Sequence, residues 1–164
     1  ILRDLLLSVE LPVFTLRAKR KLIKHAKFYY FDVGVFKSLR LRGPLDSDSE
    51  LNGPALETLI FQELRALNAS EDWQASIYFW RTDKAQEVDF VIYGPEIFTA
   101  IEVKASSRLR PEDFESLTCF GEDYPQAKRI LLYLGTKHFY ENEIEVIPAE
   151  EWFSRAPLYR LGKD

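Results

Sequence analysis

Apolar positions in the second half of the chain fall into short runs, which are typical of buried strands. These runs span residues 76–82, 86–93, 97–104, 129–134 and 144–147. Residues 111–122 follow a helical period, and a last helix is predicted over 149–155. A longer helix is predicted to start at Asn52 and Pro54, a cap and a first-turn proline, and to run to about Leu67. The body therefore has the order α-β-β-β-α-β and predicts an α/β fold.

The first part of the chain has a different pattern. Residues 1–11 resemble the end of an amphipathic helix that Pro12 stops, and the aromatic run over 27–31 predicts a strand. Asp32 is placed to cap a helix over 33–41. The stretch from Gly43 to Glu50 is rich in turn residues and acids, which indicates a linker. We therefore predict a small helical and hairpin module over 1–43, a linker over 44–51 and the main domain over 52–164.

Two glutamates on the predicted long helix are informative because of where they fall around its axis. At 100° per residue the apolar arc contains Leu56, Leu59, Ile60, Leu64 and Leu67. Glu63 falls inside this arc and Glu57 at its edge. A carboxylate aimed at a core needs a cation, a metal or hydrogen-bond donors. We predict a structural ion pair for Glu63, for instance with Arg81, and a functional role for Glu57.

Composition limits the class of protein before any motif does. The chain has 164 residues, of which 46% are hydrophobic, so it can bury one substantial core. The single Cys119 excludes an internal disulfide framework and is interpreted as a small buried hydrophobe, not a nucleophile. No run of eighteen apolar residues exists, which predicts a cytoplasmic location and no membrane partner. The first residues are typical of the middle of a helix, and we expect the chain to be part of a longer protein.

Charge is distributed unevenly along the chain. The net charge is −4, yet residues 17–42 contain nine basic side chains and only one acidic side chain, Asp32. The most concentrated basic residues are Lys19, Arg20 and Lys21. Such a segment is suited to DNA or another polyanion, and it is equally suited to docking against an acidic neighbouring domain. Arg108 and Arg110 are two further candidates for phosphate contacts, with plain surface charge as the alternative.

The strongest chemical signal lies on the two strands at 86–93 and 97–104. Side chains alternate along a strand, so Glu102 and Lys104 share one face. If Asp89 on the preceding strand lies opposite them, two carboxylates and an ammonium converge. Such an oxygen-rich site suits Mg²⁺ or Mn²⁺, and a lysine beside the metal can orient an attacking water. The alternative is a solvated ion pair between Glu102 and Lys104.

Five ordered motifs carry a resemblance to known proteins. They are residues 27–34 (KFYYFDVG), 56–64 (LETLIFQEL, with Leu56-Glu57-Thr58 and Glu63-Leu64), 80–82 (WRT), 87–90 (EVDF) and 101–104 (IEVK). With the α-β-β-β-α-β order, they resemble the PD-(D/E)xK nuclease superfamily. More closely, they look like the uncharacterised C-terminal domain that follows the AAA+ ATPase core in a large prokaryotic family. The resemblance implies a restriction-endonuclease-like core with a mixed central sheet, preceded by a winged-helix-like remnant.

The resemblance implies a role for each of four residues. Glu57 would be the acidic helix residue, Asp89 and Glu102 the metal-binding carboxylates, and Lys104 the catalytic lysine. Glu57 is included among the metal-binding candidates with Asp89 and Glu102. The family also implies an upstream AAA+ ATPase core as partner in the same polypeptide. Since the chain has no Gly-x-x-x-x-Gly-Lys-Ser/Thr loop, ATP is expected only in that upstream domain.

These observations lead to two main expectations for function, beside a third in which the domain is an oligomerisation piece with vestigial carboxylates. The first is a DNA nuclease domain of an ATPase that hydrolyses phosphodiesters with Mg²⁺ or Mn²⁺. The alternative is a non-catalytic module of the same fold that binds DNA or a protein partner and is regulated by the ATPase. His25 and His138 have no partners at metal-ligand spacing and are interpreted as solvated or packed side chains.

Overall fold

A computed structural model describes residues 8–23, 25–39, 48–71 and 73–155 of the chain. Eight strands form in chain order: β1 Ser8–Leu11, β2 Lys27–Tyr30, β3 Ser76–Arg81, β4 Glu87–Tyr93, β5 Phe98–Lys104, β6 Lys128–Tyr133, β7 Phe139–Glu141 and β8 Ile144–Pro148. The helices are α1 Val33–Leu39, α2 Asp48–Ser70, α3 Glu115–Asp123 and α4 Ala149–Arg155, and a 3-10 turn at Pro111–Phe114 precedes α3.

A six-stranded mixed sheet forms the centre of the body, in the order β3-β4-β5-β6-β8-β7. Strands β3, β4 and β5 pair antiparallel, β5, β6 and β8 pair parallel, and β7 pairs antiparallel with β8. Helix α3 connects β5 to β6, as a parallel pair requires a crossover. The predicted α-β-β-β-α-β order and the α/β fold with a mixed sheet are therefore confirmed. The exposed edge strand β7 is an element that the sequence pattern did not predict.

Each face of this sheet has its own core. On one face, Ile60, Phe61, Leu64 and Leu67 of α2 pack with Trp152 of α4 against the strands. On the other face, Leu117 and Phe120 of α3 pack with strand side chains and with Trp80. The apolar runs of β4, β5 and β6 follow from this arrangement, because a strand that is covered on both faces has no solvent-facing side.

Helix α2 differs from its prediction at both ends and in one part of its buried arc. It begins at Asp48, so the last residues assigned to the linker belong to the helix. Leu59, which the sequence pattern predicts to be buried, is 38% exposed, whereas Phe61, outside the predicted arc, is buried. Phe61 stacks on Phe90 of β4 with ring centroids 5.8 Å apart, and this contact fixes which side of the helix faces the sheet.

The segment before α2 is folded against the body. The prediction of a helix over residues 1–11 is wrong for the described residues 8–11, which form β1 and pair antiparallel with β2. Beyond β1, Phe79 donates its N–H to Pro12 O and accepts from Phe14 N, so the segment covers the β3 edge of the sheet. Asp32 caps α1 as predicted, since its Oδ1 accepts from the N–H groups of Gly34 and Val35. Within the described ranges, no helix is long and apolar enough to cross a membrane.

Candidate acidic site

An irregularity in β4 determines where Asp89 points. From Tyr78 to Trp80 strand β3 advances by two residues, while the partner positions on β4 run from Val91 to Val88 and advance by three. Such an extra residue is a β-bulge. Val88 and Val91 therefore pack in the same core, and Phe90 packs in the opposite one. Simple alternation from Val91 does not give the orientation of Asp89.

Asp89 is 6% exposed and is held by β5. Its Oδ2 accepts a hydrogen bond of 3.0 Å from the Val103 N–H. The strands are last paired at Phe90 and Ile101, and Asp89 and Glu102 each lie one residue beyond that pair. The two carboxylates are thus held at the same end of the sheet, as the sequence predicts.

Glu102 and Lys104 share a face of β5, which confirms the expected alternation. Lys104 Nζ lies 2.8 Å from Glu102 Oε1 and 3.9 Å from Asp113 Oδ1, beside the start of α3. Glu102 is 5% exposed, and its second oxygen, Oε2, is buried without a hydrogen-bond partner in the described part of the chain. A buried carboxylate oxygen without a donor is costly, so this oxygen calls for a structural or functional reason.

Glu57 reaches the same region from α2. Its Oε2 accepts a hydrogen bond of 3.2 Å from the Tyr29 hydroxyl. Tyr29 is buried against Phe61 and Phe90, with ring centroids 4.9 Å and 5.6 Å away. The rigid aromatic packing fixes the hydroxyl, and the hydroxyl fixes the carboxylate.

Lys27 is the residue that the motif search did not place in the site. Its Nζ lies 3.3 Å from Asp89 Oδ1 and 3.9 Å from Glu57 Oε2, and it also forms an ion pair with Glu87. Glu87 is paired in addition with Arg81, whose Nε is 3.3 Å from Glu87 Oε2. The sequence indicates that Lys27 and Tyr29 share a face of their strand, because they are two residues apart, but it does not indicate which acids they meet.

The pKa shifts follow from this crowding of acids in a buried place. Burial, with the charge of Asp89 next, raises the pKa of Glu57 to about 7. Burial and then the charge of Asp89 raise the pKa of Glu102 well above its usual range, and burial also raises the pKa of Asp89 although Lys27 opposes it. Burial alone would lower the pKa of Lys27 and of Lys104, but their carboxylate partners outweigh it and raise both. Both lysines are therefore ammonium ions.

The cluster does not form a ready metal cage as its side chains stand. Across residues 8–23, 25–39, 48–71 and 73–155, no three His, Cys, Asp or Glu side chains converge tightly enough to hold a metal ion. The oxygen atoms of Asp89 are both engaged, one by Lys27 and one by Val103. A cavity of about 180 Å³ borders Lys27 and Glu57 and is lined also by Tyr30, Phe36 and Thr58. The donor atoms are carboxylate oxygens, which a hard cation prefers, but the ammonium of Lys27 already lies among them.

The predicted nucleic-acid residues have different environments. Arg20 lies against the last turn of α3, with Nη2 2.6 Å from Glu122 Oε2 and Nε 2.9 Å from Asp123 Oδ2. Lys19 Nζ donates to the Glu122 carbonyl at 3.2 Å, and Lys21 is exposed. Cations are favourable at a helix C-terminus, where carbonyl groups are unpaired. This geometry matches the alternative in which the basic segment docks on an acidic neighbour.

Arg108 and Arg110 lie on the loop that follows β5. Arg108 is exposed, and the Arg110 side chain is 78% exposed with Nη1 3.6 Å from Glu112 Oε1. The Arg110 N–H donates to Asp113 Oδ2, and Asp113 in turn lies beside Lys104. The loop is therefore connected to the acidic cluster, and its guanidinium groups are open to solvent.

The remaining sequence candidates lie outside the cluster. Glu63 is half-buried, and its suggested partner Arg81 is paired with Glu87 instead. Cys119 is half-buried, and burial raises the pKa of its thiol, which disfavours the reactive thiolate. His25 is exposed, while His138 lies 3.1 Å from Glu145 and 3.2 Å from Glu151.

The fold and the cluster define a mixed α/β domain with a buried acidic site at one end of its sheet. Residues 52–152 match the family model of DUF4143, a domain of unknown function. This match covers more than half of the chain, so the chain belongs to the DUF4143 family. The domain is known to occur in AAA-ATPase-associated proteins. None of the curated proteins compared with the chain matches it.

Proposed function

We propose that this domain is a divalent-metal-dependent phosphodiesterase that acts on DNA, with Glu57, Asp89, Glu102 and Lys104 as its site. The observation that carries the proposal is the buried Oε2 of Glu102, which has no hydrogen-bond partner among the described residues and belongs to a carboxylate adjoining Asp89. Burying neighbouring carboxylates is unfavourable unless a cation compensates them. A bound divalent cation would compensate the charges of Asp89 and Glu102 and would explain why both carboxylates are buried.

The residues have distinct parts in such a reaction. Asp89, Glu102 and Glu57 would hold Mg²⁺ or Mn²⁺, which favours oxygen ligands and, when bound, activates water and polarises a phosphate. Lys104 is held as an ammonium by Glu102, so it cannot accept a proton from water. Its part is to donate hydrogen bonds to the attacking water or to the phosphate oxygen on which charge develops. Tyr29 positions Glu57 through its hydroxyl.

DNA and an upstream ATPase are the partners in this proposal. The exposed guanidinium groups of Arg108 and Arg110 are available for phosphate contacts close to Lys104. Arg20 would have to leave Glu122 and Asp123 before it could bind a phosphate, so it is a weaker candidate for DNA contact. An AAA+ ATPase core in the same polypeptide would supply ATP hydrolysis, and the DUF4143 membership supports that association.

The test is metal binding and cleavage by purified protein, both as this domain and in the full-length chain. We expect Asp89→Asn to abolish the rise in melting temperature that Mn²⁺ causes and the nicking of supercoiled DNA. Lys104→Ala should retain the metal-induced rise and lose nicking, because Lys104 is not a ligand. Glu145→Gln is the matched control, since Glu145 is a buried carboxylate paired with Lys128 elsewhere on the sheet. If neither protein cuts and no divalent binding depends on Asp89 and Glu102, the nuclease proposal is wrong.

A second candidate is a non-catalytic module that binds DNA or a protein partner. The position of Lys27 favours it, because an internal ammonium already compensates Glu57, Glu87 and Asp89. Acids that are neutralised within the fold need no metal. Under this candidate, full-length protein binds its partner while Mn²⁺ changes neither its stability nor any DNA substrate.

A further inference from the structure

Lys27 lies where a divalent cation would have to bind. Its ammonium is within reach of three carboxylates from two elements, Glu57 on α2 and Glu87 and Asp89 on β4. Its side chain is 24% exposed, so most of it lies within the protein. The Phe79 ring lies 5.6 Å from Nζ and closes the apolar side of this position. A buried ammonium forms strong charge-assisted hydrogen bonds with carboxylates. Here it engages oxygen atoms that a metal would need as ligands.

We propose that Lys27 is the resident cation of the acidic site, and that a divalent metal binds Glu57 and Asp89 only when the Lys27 ammonium withdraws. This inference rests on the proposed metal site and adds a condition to it. Two cations cannot share Glu57 Oε2 and Asp89 Oδ1 at close range, because their mutual repulsion in a buried place is large. Lys27 therefore sets the affinity of the site for metal and prevents binding while it is in place.

The strand that carries Lys27 is well suited to such control. Strand β2 pairs with β1 in a two-stranded ribbon that is separate from the six-stranded sheet, and Lys27 forms the last pair of that ribbon, with Leu11. The same strand supplies Tyr29, whose hydroxyl holds Glu57. The β1–β2 ribbon thus contacts two of the proposed metal ligands: Glu57 through Lys27 and Tyr29, and Asp89 through Lys27. The lysine stem has four rotatable bonds, so its ammonium can leave toward the adjoining 180 Å³ cavity without unfolding β2.

The experiment compares Mn²⁺ binding by the wild type, Lys27→Gln and Lys27→Arg, with isothermal calorimetry and metal-induced melting shifts as readouts. Removing a unit charge next to the ligands should raise Mn²⁺ affinity at least about tenfold in Lys27→Gln. Lys27→Arg keeps the charge and should not gain affinity. The gain should disappear in the double variant Lys27→Gln with Asp89→Asn. Lys128→Gln is the matched control, because Lys128 Nζ makes an equally close pair with Glu145, 3.0 Å away, outside the cluster.

The outcomes separate this inference from the proposed function. Equal Mn²⁺ affinity in the wild type and Lys27→Gln would overturn the role of Lys27 and leave the metal site standing. An absence of binding in both proteins would overturn both ideas. If Lys27→Gln does not fold alone, it is refolded with excess Mn²⁺ or with Na⁺ at equal ionic strength. If Mn²⁺ restores folding and Na⁺ does not, the inference is supported, because the metal then replaces the missing ammonium. If Mn²⁺ does not restore folding, the inference is wrong.

Discussion

The raised pKa of Glu57 predicts that the wild-type fold loses stability as the pH rises through neutrality. In the unfolded chain this carboxyl has a pKa near 4.5, and in the folded protein burial and Asp89 raise it to about 7. Between these values the folded state binds more protons than the unfolded state, so the free energy of unfolding falls with increasing pH. The contribution of Glu57 is greatest below pH 4.5 and is lost as the pH passes 7. Glu57→Gln cannot ionise and should escape this loss.

The magnitude follows from the size of the shift. At about 1.4 kcal/mol per pKa unit, a rise from 4.5 to about 7 corresponds to about 3 kcal/mol, most of which falls between pH 5 and pH 8. Glutamine keeps a carbonyl that can accept from the Tyr29 hydroxyl, so the contact with Tyr29 is retained. Relative to the wild type, Glu57→Gln should therefore gain roughly 2 to 3 kcal/mol between pH 5 and pH 8.

Urea unfolding at several pH values, with a chelator to remove divalent ions, measures this difference. Titrating groups outside the acidic cluster are common to the two proteins and cancel in the comparison. Glu63→Gln, six residues further along α2, is the control for removing a carboxylate of this helix outside the cluster. If the free energies of unfolding of the wild type and of Glu57→Gln change in parallel between pH 5 and pH 8, the raised pKa assigned to Glu57 is wrong.

Two further predictions concern residues outside the cluster. Arg20→Ala should accelerate amide hydrogen exchange at Ile23 and Asp83, whose N–H groups join the basic segment to the body, and should leave the salt dependence of any DNA binding unchanged. A salt slope that falls by about one unit would show that Arg20 contacts phosphate and is not docked on α3. Glu63→Gln should change the urea midpoint more than the Mn²⁺ affinity, since Glu63 lies outside the cluster. Calorimetry showing the reverse would assign Glu63 to the site.

The local sequence determined the order of the main elements in the body and which side chains share a face of β5. Strands β4 and β5 have apolar side chains toward both faces, and this pattern is visible without knowledge of their neighbours. Alternation alone placed Glu102 beside Lys104, because two residues along a strand return to the same face. Asp32 could be recognised as a cap because its hydrogen bonds reach only two and three residues along the chain.

Only the tertiary structure decided the features that depend on distant partners. Residues 8–11 form a strand because β2 pairs with them, and Arg20 of the basic segment lies against the body because α3 ends in Glu122 and Asp123. The bulge that orients Asp89 is a mismatch between two strands and has no counterpart in either strand alone. Lys27 joins Asp89 across 62 positions of sequence. A local pattern contains no information on which charges meet at such a separation, because the packing of α2 and the β1–β2 ribbon on the sheet decides it.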